Sequence, residues 1–202
     1  MWNYEKRLQY PVNIKETNPR LAMAIATQYG GPDGECGAAL RYLSQRFTMP
    51  YKEAIGVLTD VGTEELAHME IVCTIIQQLT KDLTPQELID SGFDKYYVDH
   101  TLGIYPISAA GVPFSAATFQ SVGDPLTDLH EDLAAEQKAR TTYDNILRLV
   151  KDEDVADPIR FLRAREIVHY QRFGESLRIV QDNLDSKNFY AINPEFPSDI
   201  RR

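Results

Sequence analysis

Six side chains in this sequence carry metal-binding chemistry at a spacing that chance rarely supplies. Glu65 and His68 stand three apart in Glu65-Leu66-Ala67-His68, and Glu166-Ile167-Val168-His169 repeats the pattern. Thirty positions before each of these glutamates stands another, Glu35 before Glu65 and Glu136 before Glu166. Residues three apart on a helix share a face. One Glu-x-x-His says little, because both residues are common. Two of them, each preceded at the same distance by a Glu on another helix, describe an internal pseudo-repeat of two helical hairpins.

The apolar residues around these six step by threes and fours, as a core-facing helical stripe does. Over residues 52–80 the stripe is Ile55, Leu58, Gly62, Met69, Val72, Ile76 and Leu79, with Glu65 and His68 at the missing steps. Over 125–150 it is Leu126, Leu129, Leu133, Tyr143, Leu147 and Val150, interrupted by Glu136. Over 158–184 it is Ile159, Leu162, Phe173, Leu177, Val180 and Leu184, interrupted by Glu166 and His169. Glu35 opens a helix predicted over about 33–47, with Tyr42 two turns later. Four carboxylates thus converge on a core, where an unpaired one costs several kcal/mol. Two divalent cations supply about +4 and accept neutral imidazoles as donors. That arrangement is the carboxylate-bridged two-metal site of ferritin-like bundles.

The remaining pattern supports an all-α, ferritin-like four-helix bundle. A further helix is predicted over 20–29, ending at Gly30-Gly31, and no strand alternation of useful length occurs. Residues 81–124, with Gly92, Gly103, Pro106, Gly111, Pro113 and Gly123, read as a long crossover loop between the second and third bundle helices. Its tract 104–119 is short of charge, and a loop of that length suits a wall along the approach to a site. The domain reading is an N-terminal arm over 1–18, the bundle over 19–184 and an extended tail over 185–202 carrying Pro194 and Pro197. Both arms suit the wrapping of neighbouring copies.

Composition excludes several classes. The 202 residues hold 21 basic and 30 acidic side chains, a net charge of −9 that argues against nucleic acid as partner. No apolar run approaches the roughly 20 residues of a membrane span. Residues 1–7 lack the apolar stretch of a secretion signal, so synthesis is expected to end in the cytoplasm. Cys36 and Cys73 have neither disulfide nor zinc spacing and read as packed thiols. His100 and His130 read as surface residues, and Tyr96, Tyr97 and Tyr105 as packing or an oligomer contact. Arg140 falls one turn after Glu136, either to hold a ligand carboxylate in place or to pair with an acidic neighbour. Tyr42 either donates its phenol to the Glu35 carboxylate or to metal-bound solvent, or fills core.

The segments Gly31-Pro32-Asp33-Gly34-Glu35, Glu64-Glu65-Leu66-Ala67-His68-Met69-Glu70, Ala134-Ala135-Glu136 and Arg165-Glu166-Ile167-Val168-His169 resemble the manganese catalase family, in its short spore-coat form, over nearly the whole chain. The resemblance implies two manganese ions per chain, with Glu35 and His68 on one, Glu136 and His169 on the other, and Glu65 bridging. By spacing Glu166 is a ligand equivalent to Glu65; by resemblance it sits outside the ligand set, hydrogen-bonded to bridging solvent and able to move protons. Tyr42 matches the family tyrosine that touches the first carboxylate. Ala135 stands where several members carry a basic residue, with Arg140 as the candidate substitute. The resemblance further implies disproportionation of hydrogen peroxide, a homo-oligomer (a hexamer) and a place in the spore coat among other coat proteins. Carboxylate and imidazole ligands alone leave iron open as the metal, hence a di-iron ferroxidase or peroxidase, and leave open a mainly structural coat protein. The paired Cys-x-x-Cys of rubrerythrins is absent.

Overall fold

The structure, a computed structural model, describes residues 4–183. The helices in chain order are α1 (Pro19–Ile25), α2 (Thr27–Gly30), α3 (Glu35–Gln45), α4 (Lys52–Thr80), α5 (Pro85–Ser91), α6 (Asp94–His100), α7 (Pro125–Leu149) and α8 (Glu153–Asp182). A 3₁₀ turn occupies Ala116–Phe119, and an isolated antiparallel bridge joins Ile107 to Pro113. No strand occurs among the described residues. The bundle is α3, α4, α7 and α8, with α3 packed on α4 and α7 packed on α8, the two hairpins of the pseudo-repeat. The expected tail, and Leu184 of the last stripe, lie outside the described residues.

Local chemistry explains where the helices begin. The Asp124 side chain accepts from Thr127 N and Pro125 opens α7, where its missing N–H costs nothing. Gly34, just before Glu35, lies so close to α2 that a Cβ there would stand 2.8 Å from the carbonyl oxygen of Thr27, the first residue of that helix. The turn 31–34 therefore stays tight and starts α3 with Glu35 already pointing inward. Gly30 likewise lets the crossover lie down: a Cβ there would fall 2.1 Å from the Pro106 carbonyl carbon.

Two elements differ from expectation. The crossover is not all loop, because α5 and α6 form inside it. Thr84 and Glu87 make a reciprocal capping box, Pro85 takes the first helical position, and Gly92 closes α5 in the left-handed conformation at φ 77°. The last helix starts at Glu153, five residues before Pro158. The Asp152 side chain accepts from Asp154 N, and two acidic residues in the first turn complement the helix dipole. That extra turn buries Val155 and Ala156, enough to carry the helix through the proline.

The core divides into two apolar clusters. One gathers Ile14, Leu21, Ile25, Ile71, Ile75, Leu79, Ile146, Ile159 and Leu162, and the other Tyr42, Leu58, Val61, Leu129, Phe173 and Val180. Each buried Leu or Ile contributes roughly 1.5–3 kcal/mol, so both ends of the bundle are held firmly. Between Val61 and Ile71 on α4 lie Glu65 and His68; between Leu162 and Phe173 on α8 lie Glu166 and His169. The polar layer is sandwiched.

Residues 4–18 run along their own bundle. Gln78 accepts from Ile14 N at 2.6 Å and donates to the Val12 carbonyl at 3.1 Å, and Tyr10 stacks on Phe161 with ring centres 4.5 Å apart. Among the described residues no helix is long and apolar enough to cross a membrane.

Candidate metal centre

Glu65, His68, Glu166 and His169 each bring one ligand atom into a group whose members lie within 4.8 Å of one another, all buried. Glu35 and Glu136 close the layer from α3 and α7, at 3% and 1% exposure. The Glu65 carboxylate is central. Its two oxygens lie 2.7 Å from His68 Nδ1 and 2.8 Å from His169 Nδ1. Glu35 approaches the same nitrogen of His68 at 3.8 Å, and Glu136 that of His169 at 3.6 Å. The two imidazoles stack 5.3 Å apart and nearly parallel. Two half-sites, each one glutamate and one histidine, therefore share a carboxylate.

Each outer glutamate is held by a tyrosine from the opposite hairpin. Tyr42 donates its hydroxyl to Glu136, and Tyr143 donates to Glu35. The expectation that Tyr42 serves the Glu35 carboxylate is corrected here. α3 and α7 run antiparallel, so a residue two turns beyond one glutamate reaches the other. Tyr143 stands seven after Glu136 as Tyr42 stands seven after Glu35, a repeat visible in the sequence but read there as apolar stripe.

A further carboxylate, not marked by any break in an apolar stripe, serves the histidine pair. Glu64, immediately before Glu65, accepts from His169 Nε2 at 3.1 Å and faces His68 Nε2 at 3.5 Å. Arg165, immediately before Glu166, clamps Glu64 through two bonds at 2.7 and 3.2 Å, and Gln9 donates to it at 2.8 Å. One outer carboxylate thus holds His169 by a hydrogen bond and faces His68 as a nearby charge, with both Nδ1 atoms toward the centre. Arg140 is elsewhere: it pairs with Asp144 at 2.9 Å and Gln137 at 3.0 Å, because its side chain leans to the rim of its α7 face, toward Asp144 and Arg163, rather than to the core. The tract 104–119 lies over α3, with Phe114 against Gly37 and the Thr118 carbonyl accepting from Arg41. His130 is exposed, and His100 stacks on Tyr105.

The electrostatics ask for cations. Burial pushes the Glu166 carboxyl well above its ordinary range, and the charges of Glu136, Glu35 and Glu65 push further. Burial and the Glu65 charge raise Glu35 to about 8. Burial and Glu65 also raise Glu136, against the opposing pull of His169. Glu65 goes the other way: burial would raise it, but the two imidazoles outweigh burial and hold it low. Both imidazoles are raised despite burial, chiefly by Glu65. Glu65 Oε1, Glu136 Oε2, Glu166 Oε1 and His169 Nδ1 have no hydrogen-bond partner, although His169 Nδ1 and Glu65 Oε1 are 2.8 Å apart. Buried oxygen and nitrogen lone pairs that converge without shared protons fit a pair of hard to borderline divalent cations. Metal binding would displace the protons that otherwise neutralise the layer.

A four-helix bundle with a Glu on each of two helices and a Glu-x-x-His on each of the other two is a ferritin-like dinuclear metal protein. Comparison with known proteins narrows the class. The model of the family of manganese containing catalases matches residues 1–189, and the chain belongs to that family. It is 51% identical over 190 residues to Protein CotJC of Bacillus subtilis, covering 94% of this chain and 100% of that one. A probable manganese catalase of Clostridium acetobutylicum is 34% identical over 191 residues, covering 94% of this chain and 85% of that one. The crystal structure of the manganese catalase KatB from Anabaena superposes with a TM-score of 0.85 at 30% identity, covering 96% of this chain and 87% of that one. The family implies a dimanganese centre, and the buried Glu/His layer has the donors to hold it.

Proposed function

We infer that this chain is a manganese catalase, converting two hydrogen peroxide molecules into two water molecules and dioxygen. One observation carries the reading: Glu65 stands between two Glu/His half-sites at 2.7 and 2.8 Å from their imidazoles. A manganese pair, when bound, would supply two electrons to one peroxide and take two back from the other. Glu35 and His68 are assigned to one ion, Glu136 and His169 to the other, and Glu65 to both. Tyr42 and Tyr143 fix the rotamers of the outer glutamates, and Glu64 fixes the tautomer of His169 by accepting from Nε2. Glu166 is assigned to proton transfer at Oε1, which is buried and unshared. Reduction of one peroxide takes up two protons and oxidation of the other releases two, so a carboxyl whose neutral form is favoured has work in both directions. Arg140 takes no part.

The same reading extends to place and assembly. Resemblance to the short spore-coat form, with the 51% identity to CotJC over its whole length, supports a coat location. Family membership supports a homo-oligomer, a hexamer by resemblance, and Phe47, Val98 and Val122 offer exposed apolar surface for contacts to copies or coat proteins.

The test is metal analysis of protein from cells supplemented with manganese and iron, joined to oxygen release from added peroxide. About two manganese per chain with oxygen evolution is the expected result. Two iron per chain without oxygen evolution would replace it by a ferroxidase or peroxidase. Metal-free protein that assembles normally would leave a structural coat role.

A further inference from the structure

One turn beyond the metal layer, toward the second apolar cluster, lies a polar layer that the proposed chemistry does not use. Arg41 and Gln45 on α3, Asp132 on α7 and Ser176 on α8 are exposed by 1%, 3%, 0% and 0%. Six of their atoms have no hydrogen-bond partner within bonding geometry, Arg41 Nε and Nη1, Gln45 Oε1, both Asp132 oxygens and Ser176 Oγ, although Gln45 lies close enough to Asp132 to help hold its carboxyl down. The outward-facing atoms are satisfied by the crossover. Arg41 Nη2 donates to the Thr118 carbonyl at 3.1 Å and Gln45 Nε2 to Ser121 Oγ at 3.0 Å. Asp128, one turn before Asp132, accepts from Val122 N at 2.8 Å and Gly123 N at 3.1 Å. The layer is thus roofed by residues 118–123 and floored by the Tyr42–Glu136 hydrogen bond, since Arg41 adjoins Tyr42 and Asp132 stands one turn before Glu136.

Buried polar atoms are rarely left unpaired, and six in one layer require partners. The set chooses its ligand by chemistry. Arg41 repels a cation, while Asp132, Asp128 and Glu136 repel an anion. The orphans comprise both donors and acceptors, which calls for a small neutral molecule that is both. Burial raises the Asp132 carboxyl, with Glu136 and Asp128 adding, while Gln45 and Arg41 oppose; a partner that donates and accepts serves it in either state. We propose that Arg41, Gln45, Asp132 and Ser176 bind a cluster of ordered water that links the Tyr42–Glu136 edge of the metal centre to the surface under residues 118–123 and carries protons between them. At about three hydrogen bonds per buried water, six orphan atoms hold at least two. Asp132 is a positioning residue: it holds the water, and the water meets the centre.

The proposal rests on the catalase reading for its purpose but not for its existence, and the test separates the two. A crystal structure of the manganese-loaded protein at a resolution that shows ordered solvent is expected to place water on Asp132 and Arg41, continuous to the Tyr42 hydroxyl. A dry layer with Asp132 bonded directly to Arg41 would overturn the site. Asp132→Asn is expected to keep two manganese per chain and its KM while kcat falls about tenfold, the low end of losses seen for outer positioning groups. Its solvent deuterium isotope effect on kcat is expected to rise. Unchanged kcat and isotope effect in manganese-loaded Asp132→Asn would overturn the proton route. Should that variant fail to fold, Ser176→Ala decides by the same two readouts, with a smaller expected loss; no change there overturns the route too. Wild-type protein that holds manganese and ordered water but evolves no oxygen would refute the catalase reading and leave the water site standing.

Discussion

The two hairpins carry the same residues in the same thirty-residue frame, yet they do not make equivalent half-sites. In the first, Glu65 lies between both imidazoles. In the second, Glu166 occupies the matching position and its Oε1 meets no partner at all. The difference begins one residue earlier, with Glu64 on α4 and Arg165 on α8. Arg165 neutralises Glu64, and Glu64 then serves the Nε2 side of the histidine pair. Both imidazoles turn their Nδ1 atoms to Glu65, and Glu166 is left with the raised carboxyl. On the proposed reading, a doubled helix pair thereby yields one shared carboxylate and one proton carrier, by charge asymmetry at a neighbouring position.

Removing the shared carboxylate tests this most severely. Glu65→Ala is expected to abolish oxygen evolution and leave well under one manganese per chain, a loss beyond the 10–100-fold in affinity typical of outer residues. Retention of two manganese would mean that the hairpins do not share Glu65. Glu166→Gln should separate the two glutamates. It is expected to retain two manganese while kcat falls about 10²–10⁴-fold, the usual range for a lost acid–base group. Loss of metal instead would make Glu166 a ligand like Glu65 and erase the asymmetry.

The features that repeat were the legible ones. Glu35, Glu65, His68, Glu136, Glu166 and His169 stood out because polar residues broke apolar stripes at a fixed interval, and the four long helices followed from the same stripes. The residues that break the repeat did not. Glu64 and Arg165 look like ordinary exposed charges at the edge of a stripe, and only the approach of α4 to α8 makes them a pair. Tyr143 hid in an apolar stripe because a phenol is both core filler and donor. Arg140 misled: it shares the broad face of Glu136, but its long side chain leans to the rim of that face, where Gln137 and Asp144 take its guanidinium. Ile71 and Ile75 are fully buried between stripe positions because α1 and the N-terminal arm cover a second side of α4.

Arg165→Met probes the source of the asymmetry itself. Glu64 would keep its histidine contacts but lose its counter-charge, so it should hold the imidazoles less well. Manganese affinity is expected to fall about 10–100-fold, with kcat at saturating manganese near that of wild type. A titration of metal-free protein that shows unchanged affinity would detach Glu64 from the metal centre.

The smallest effect is expected where the hairpins remain alike. Tyr42 and Tyr143 sit at matching positions, both fully buried, each donating to the opposite glutamate. Removing one partner of a buried hydrogen bond, so that the other is left unsatisfied, costs about 1–3 kcal/mol. For a chain of this size, 1 kcal/mol moves the melting temperature by roughly 2–4 °C. Tyr42→Phe and Tyr143→Phe are therefore each expected to lower Tm of the metal-free protein by several degrees, and by similar amounts. Because the outer glutamates keep their place in the sandwich, both variants should still load manganese. Equal shifts would locate the asymmetry in α4 and α8 alone. A clearly larger loss in one variant would show that α3 and α7 are unequal as well, and that the pairing of Glu64 with Arg165 is only part of what divides the two half-sites.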